Sequence, residues 1–226
     1  MTEPKPIFLV VVAAGLGSRL AAATRKASVS ISGIPLVVRA LRAFDTTPGA
    51  VGGALVVHRD DLERAERDWI PEASAPFDWQ PVLGGETRAE SVAAGLATME
   101  PSAQLLLVHD AARPLLHPDD RDAVIEEAAE GGAILAAPIT DTIQRVERGE
   151  IRETVDRRGL WGAQTPQVIP VSAYRHLLTK GPLWGTDEAT ALAAAGITVR
   201  VVEARHPNPK VTHPSDLPLV ESLLKG

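Results

Sequence analysis

Three short segments of this sequence carry residue types that could hold a phosphorylated ligand. The first is Ala13-Ala14-Gly15-Leu16-Gly17-Ser18-Arg19-Leu20. Its small residues let backbone approach a ligand closely, its amide N–H groups can face phosphate oxygens, and Arg19 adds a forked cation. It is not a dinucleotide fingerprint, which needs a third small residue where Leu20 stands, nor a P-loop, which needs Gly-Lys-Ser/Thr. A tight strand–helix turn also wants glycine for its own reasons, and Lys26, a short way beyond, gains weight only as a second cation beside Arg19. The second segment is Gly84-Gly85-Glu86-Thr87-Arg88-Ala89-Glu90-Ser91. Its glycine pair again admits close approach and Ser91 could bond a base edge, while Thr87 and Glu90 read equally well as a capping box.

The third segment is His109-Asp110-Ala111-Ala112-Arg113-Pro114. An acid closing a buried strand stands where open α/β sheets place ligands. Asp110 suits one Mg²⁺ bridging phosphate oxygens; an ion pair with Arg113 is the alternative. His109 reads as support for the strand end, because no further ligand stands at zinc spacing. Farther along, Gly159–Gln167 reads as an irregular structural segment around Trp161. Thr186 reads as an N-cap with Asp187 in the first turn, and Lys210 precedes a last helix capped near Ser215. No nucleophile/base dyad emerges, since Ser91 lacks a G-x-S-x-G elbow and the six histidines share no spacing. Glycine-rich backbone, one strand-end acid and scattered cations are the equipment of a phosphoryl transfer without a covalent protein intermediate.

Such residues need a sheet to position them. Apolar runs at Ile7–Ala13, Ala54–His58, Gln80–Leu83, Leu105–His109, Ile134–Pro138 and Val199–Glu203 read as strands, several of them apolar throughout, as strands covered on both faces are. Between them, Pro35–Phe44, Asp61–Trp69, Glu86–Met99 and Asp119–Glu130 carry helical spacing, with Pro35 in a first turn and Gly131-Gly132 as a stop. This alternation predicts a doubly wound, mostly parallel α/β sheet. Asp141–Arg157 departs from it. Its β-formers alternate with polar residues around Arg148-Gly149, which predicts a hairpin arm leaving the body, suited to meeting another subunit.

Composition sets the outer bounds. The 226 residues are 45% hydrophobic, enough for one sizeable core, and no linker divides them, so residues 1–226 read as a single domain with an arm at about 139–160. Lys+Arg 23 against Asp+Glu 29 gives a net charge of −6, which argues against a broad nucleic-acid or membrane-surface binder. The absence of cysteine excludes disulfides, a thiol nucleophile and a cysteine zinc site. The apolar run at Ile7–Ala14 is too short for a membrane span and lacks a basic flank, so the expectation is a cytoplasmic protein.

Together these segments resemble one family, the 2-C-methyl-D-erythritol 4-phosphate cytidylyltransferases of the non-mevalonate isoprenoid pathway. The resemblance rests on AAGLGSRL at 13–20, Lys26, GGETRAESVAAGL at 84–96, VHDAARP at 108–114, DTIQRV at 141–146, VDRRGLWGAQTPQ at 155–167, TDEATAL at 186–192 and NPKVTHPSDL at 208–217. It implies a Rossmann-like nucleotidyltransferase fold and cytidylyl transfer from CTP to 2-C-methyl-D-erythritol 4-phosphate, giving 4-diphosphocytidyl-2-C-methyl-D-erythritol and pyrophosphate. It assigns catalysis to Arg19, Lys26 and Lys210. Ala14, Gly15, Gly17, Gly84, Gly85, Arg88, Ser91 and Ala111 would bind the nucleotide, and Asp110 the Mg²⁺. Arg113, Thr142, Arg157 and Thr186 would bind the acceptor. The arm carrying Thr142 and Arg157 would cross into the partner's site of a homodimer. Six cations, Arg19, Lys26, Arg88, Arg113, Arg157 and Lys210, would then converge on one cleft. The sequence departs from the family at Arg25, at Ala27-Ser28 and at Pro209, which fixes φ just before Lys210. Rival readings are a cytidylyltransferase for ribitol 5-phosphate and a catalytically silent nucleotide-binding regulator; a hydride-transferring enzyme is the weakest because of Leu20.

Overall fold

A computed structural model describes residues 3–15, 26–128, 131–178 and 187–225. Among them run strands β1 (Ile7–Val12), β2 (Ser30–Ile31), β3 (Ile34–Pro35), β4 (Ala50–Val57), β5 (Trp79–Leu83), β6 (Leu105–Asp110), β7 (Gly132–Pro138), β8 (Ile143–Glu147), β9 (Glu150–Val155), β10 (Trp161–Pro170) and β11 (Val199–Glu203). The helices are α1 (Leu36–Arg42), α2 (Leu62–Arg64), α3 (Arg88–Leu96), α4 (Pro118–Glu127), α5 (Val171–Leu178), α6 (Glu188–Ala194) and α7 (Asp216–Leu223). A seven-stranded sheet has the order β11-β7-β10-β6-β1-β4-β5. All its neighbouring pairs are parallel except those made by β10, which runs antiparallel to both β6 and β7.

Strand β1 shows why its sequence is apolar without alternation. Ile7, Leu9 and Val11 pack into one cluster with Val38 and Leu41 of α1 and Val124 of α4. Phe8 and Val10 face the opposite cluster, with Val92 of α3, Tyr174 of α5 and Leu192 of α6. Both faces are covered, and each buried side chain of this size contributes about 1.5–3 kcal/mol. From β1 the chain order departs in both directions, to β4 on one side and β6 on the other. The carboxyl ends of β1 and β6 therefore flank the switch point where such sheets bind ligands.

Several boundaries differ from the sequence reading. Strand β4 begins at Ala50 rather than Ala54, because Gly53 is a close-approach glycine: a Cβ there would lie 2.4 Å from the Trp79 ring. Pro35 belongs to β3 and is the N-cap of α1 rather than part of its first turn. The Asp61–Trp69 helix shrinks to α2 followed by a π-turn at Ala65–Trp69. Ser215 holds the N-cap position of α7 without a side-chain cap bond; Asp216 Oδ2 instead accepts the Thr212 and His213 N–H groups at 2.6 and 2.8 Å.

The largest correction concerns Gly159–Gln167. Trp161 is exposed rather than a structural centre, and residues from Trp161 onward form β10, inside the sheet. The pairing of β10 with β7 breaks between Ala163 and Gln167. Pro166, preceded by a cis peptide bond, sits in that break, where its missing N–H costs no ladder bond. The predicted hairpin is present: β8 and β9 form their own two-stranded antiparallel sheet. Arg148 and Gly149 turn it with φ of 51° and 82°, the positive values that a tight hairpin turn demands. Val146 and Ile151 on this arm are exposed.

Candidate active site

The glycine turns and strand ends enclose a cleft of about 290 Å³ at the switch point. Ala14, Gly15, Lys26, Gly85, Arg88, Ser91, Asp110, Ala111 and Lys210 all line it. Gly84 lies just behind. A Cβ there would come within 2.4 Å of the Ala14 Cβ and 2.9 Å of Ser91 Oγ, so this glycine lets the two turns touch. At Gly15, by contrast, a Cβ would meet no described atom within 4 Å, which leaves room beside the β1 turn. Gly17, Arg19, Arg25 and Thr186 lie outside the described residues.

The capping box of α3 is formed. Thr87 Oγ1 accepts the Glu90 N–H, and Glu90 Oε2 accepts the Thr87 N–H. Ser91 is bonded within its own turn. Its buried hydroxyl donates to Thr87 O at 3.0 Å and accepts the Gly85 N–H at 3.2 Å. With its proton given to the turn, it braces the glycine pair rather than offering a donor to a base.

At the cleft floor four charges alternate. Glu188 Oε1 and Oε2 accept from Arg88 Nη1 at 2.7 and 2.9 Å. Arg88 Nε donates to Asp110 Oδ1 at 3.0 Å, and Lys210 Nζ donates to Asp110 Oδ2 at 2.6 Å. Burial alone would raise the Asp110 carboxyl, but Arg88 and Lys210 overcome it and hold it well below the usual carboxylate range. Burial dominates at Glu188 and raises its carboxyl despite Arg88. Arg88 is fixed as a cation: burial opposes its charge, and Glu188 and Asp110 outweigh that. Its Nη2 is buried without a hydrogen-bond partner among the described residues, and Arg88 lines the cleft. An orphaned donor there fits an acceptor oxygen on a ligand.

The ion pair considered between Asp110 and Arg113 does not form. Arg113 Nη1 donates to Asn208 O at 2.7 Å and Nη2 to Ala163 O at 3.5 Å, so the guanidinium ties the β6 loop to the segment before Lys210. Asn208 is buried and donates from Nδ2 to Gln164 Oε1 and Thr165 O, both at 2.9 Å. Val211 N–H bonds Ala112 O at 2.8 Å. Lys210 and Pro209 are thus held between two anchors. Arg113, Thr142 and Arg157 do not line the cleft of their own chain, and the expected convergence of six cations reduces to Lys26, Arg88 and Lys210 among the described residues. Arg157 instead donates to Thr140 O at the base of the arm.

His109 is wholly buried, and burial lowers its pKa to about 4, so the ring is neutral. Its Nε2 bonds Arg113 O, which can only accept, so Nε2 carries the proton. Nδ1 then accepts from Thr165 Oγ1 at 3.0 Å, and Thr165 Oγ1 accepts the Asp110 N–H at 3.1 Å. This chain fastens the end of β6 to β10, the supporting role expected of His109. Glu188, Thr165 and Asn208 escaped the sequence reading. Glu188 had one visible sign, an acid directly after Asp187, which is the true N-cap of α6 through the Thr190 N–H; its bond to Arg88 spans a hundred residues.

A family model described as "IspD: 2-C-methyl-D-erythritol 4-phosphate cytidylyltransferase" matches residues 7–226. The chain belongs to the IspD family. A relative of that name from Synechococcus sp. (strain CC9902) is 41% identical, the match covering 97% of this chain and 98% of the relative. One from Chromohalobacter salexigens is 39% identical over 97% of this chain and 90% of its own. The solved 2-C-methyl-D-erythritol 4-phosphate cytidylyltransferase from Thermus thermophilus superposes with a TM-score of 0.78 at 28% identity, covering 98% of this chain and 100% of that one. The matches span both glycine turns, the strand-end acid and the arm, so the fold seen here is the IspD fold.

The donor set can be tested against Mg²⁺. Asp110 is ionised, and although each oxygen already accepts one cation, a carboxylate oxygen has a second lone pair. One protein carboxylate with phosphate oxygens and water completing the shell is a usual set for this ion. Asp110 therefore fits.

Proposed function

We propose that this chain transfers the cytidylyl group of CTP to 2-C-methyl-D-erythritol 4-phosphate, giving 4-diphosphocytidyl-2-C-methyl-D-erythritol and pyrophosphate. The observation that carries this is the line Glu188–Arg88–Asp110–Lys210 at the sheet switch point between two glycine turns, in a chain of the IspD family. An oxygen of the acceptor's 4-phosphate attacks the α-phosphorus of CTP, and the bond to the bridging oxygen of pyrophosphate breaks. No protein atom becomes bonded to phosphorus, so the protein contributes position and charge. Backbone at Ala14, Gly15, Gly84, Gly85 and Ala111 seats the nucleoside. Lys26 and Lys210 line the cleft and face the triphosphate as charge builds on it, and the family resemblance assigns Arg19 and Gly17, outside the described residues, to the same task.

Arg88 stays put because two carboxylates hold it, whereas the exposed Lys210 is free to exchange Asp110 for a phosphate oxygen. Asp110 would hold Mg²⁺, which neutralises phosphate charge when bound. Arg113, Arg157, Thr142 and Thr186 are assigned to the acceptor, the arm residues acting across a homodimer. That assignment agrees with the two-stranded arm and its exposed Val146 and Ile151, which a second subunit would cover. No helix among the described residues is long and apolar enough to cross a membrane, and we assign the enzyme to the cytoplasm.

The test is an assay of pyrophosphate release with CTP, Mg²⁺ and each polyol phosphate in turn. Turnover with 2-C-methyl-D-erythritol 4-phosphate supports the assignment. Turnover with ribitol 5-phosphate alone replaces the acceptor, and nucleotide binding without release makes the chain a silent regulator.

A further inference from the structure

A second cluster of ligating side chains lies outside the cleft, where α4 meets the chain after β11. His117 is the N-cap of α4, Asp119 lies in its first turn and His206 follows β11. The two imidazoles stack with centroids 3.5 Å apart and planes 12° from parallel. One ligand atom from each of His117, Asp119 and His206 lies within 4.8 Å of the others.

Each histidine has a carboxylate beside one of its ring nitrogens. His117 Nδ1 accepts the Asp119 N–H at 3.2 Å, so it carries no proton, and an ion bound there takes the place of that N–H; Asp119 Oδ2 is 3.7 Å from it. An ion about 2.1 Å from each atom spans that gap at an angle of about 120°. His206 Nδ1 has no hydrogen-bond partner and faces Asp120 Oδ1 at 3.3 Å. Asp120 is buried, and its oxygens also accept the Arg205 and His206 N–H groups at 3.2 and 3.0 Å. A fixed carboxylate beside one ring nitrogen is the outer partner that metal-bound histidine usually has. Asp119 and Asp120 also bring negative charge that a divalent cation balances.

We propose that His117, Asp119 and His206 bind one divalent ion of the zinc type, Zn²⁺, Ni²⁺ or Co²⁺, with Asp120 orienting His206. Two imidazoles and one carboxylate select such borderline ions over Mg²⁺, so the site is chemically distinct from Asp110. Imidazole lone pairs lie in the ring plane, so the rings must turn out of their stack to converge on the ion. Once bound, it ties α4 to the segment that continues through Asn208 to Lys210, and so stiffens the chain that presents Lys210 to the cleft.

The test uses the tag-free, metal-stripped full chain titrated with Zn²⁺ alone, by competition with a chromogenic chelator. One ion per chain is expected. His206→Ala and Asp119→Asn should bind it at least about tenfold more weakly, and Asp120→Asn about 10–100-fold more weakly. In the metal-free chain Asp119→Asn keeps the backbone N–H that His117 caps, so its fold is not at stake. Co²⁺ should give a visible d–d band that His206→Ala loses. The proposal is overturned if binding is not saturable at one ion, or if His206→Ala and Asp119→Asn bind as the parent does. It is equally overturned if Asp110→Ala, rather than these variants, abolishes the binding.

Discussion

Glu188→Gln is the sharpest test of the charge line at the cleft floor. The side chain is 3% exposed and gives both oxygens to Arg88 Nη1, while Arg88 is 26% exposed. Glutamine keeps the shape, but it loses the charge and one of the two acceptor oxygens. Removing one partner of a buried pair costs about 3–5 kcal/mol in general. Here Arg88 keeps Asp110 and some access to water, which lowers the expectation to about 2–3 kcal/mol. For a chain of this size each kcal/mol moves the Tm by about 2–4 °C, so the fall is about 4–12 °C. A two-variant cycle isolates the pair. Arg88→Gln alone and Glu188→Gln alone should each destabilise, while the double variant should be more stable than their sum by about 1.5 kcal/mol or more. Urea unfolding measures all four proteins. If the effects add within about 0.5 kcal/mol, Glu188 is not what holds Arg88, and the charge line has no energetic meaning. Activity gives a second reading: Glu188→Gln should lower kcat/KM for CTP about tenfold, because Arg88 then leans on Asp110 alone.

Asp110→Ala should lower kcat/KM by at least about a hundredfold in the pyrophosphate assay; a change below about threefold would remove Asp110 from the mechanism. The Asp110 carboxyl is depressed in the fold, so its contribution to stability is present above the ordinary aspartate range near about pH 4 and is lost as pH falls below it. The wild-type chain should therefore lose more stability between about pH 5 and 3 than Asp110→Asn, and parallel urea midpoints would contradict this. Gly84→Ala forces a methyl within 2.4 Å of Ala14 and should cost about 1–3 kcal/mol while raising the KM for CTP; an unchanged KM would show that the turns need not touch. Arg157→Ala should raise the acceptor KM much more than that for CTP, and equal effects on both would end its assignment to the acceptor.

What the sequence revealed follows from how local each cause was. Runs such as Leu105–Val108 are apolar because helices cover both sheet faces, and that cause acts residue by residue. The capping box at Thr87 and Glu90 and the turn at Arg148-Gly149 are likewise written within a few residues. Strand β10 was hidden for the opposite reason. Gly162, Gln164 and Pro166 break every β pattern, and the segment is a strand only because β6 and β7 supply ladders on either side. The first residues of β4 were hidden because Gly53 answers to Trp79, a residue of the neighbouring strand. Ser91 was placed on the right wall of the site, yet its bonding could not be foreseen without the Gly85 amide beside it.

Charge shows the same division between composition and place. A net charge of −6 excludes a broad polyanion-binding surface, but it does not say where the cations go. In the fold Arg113 is committed to Asn208 and Ala163, and Arg88 is neutralised from behind by Glu188. The cleft is therefore not a simple positive bowl. Among the described residues its fixed charges nearly cancel, so they do not hold several unopposed cations against one another. An incoming triphosphate meets Lys210, whose present partner is one oxygen of Asp110 and whose side chain is 45% exposed. Exchanging that partner costs little, because Asp110 keeps Arg88, and Arg88 keeps Glu188. The buried pair supplies the fixed geometry and the exposed lysine supplies the response. Glu188 therefore matters to the chemistry although the ligand never needs to touch it.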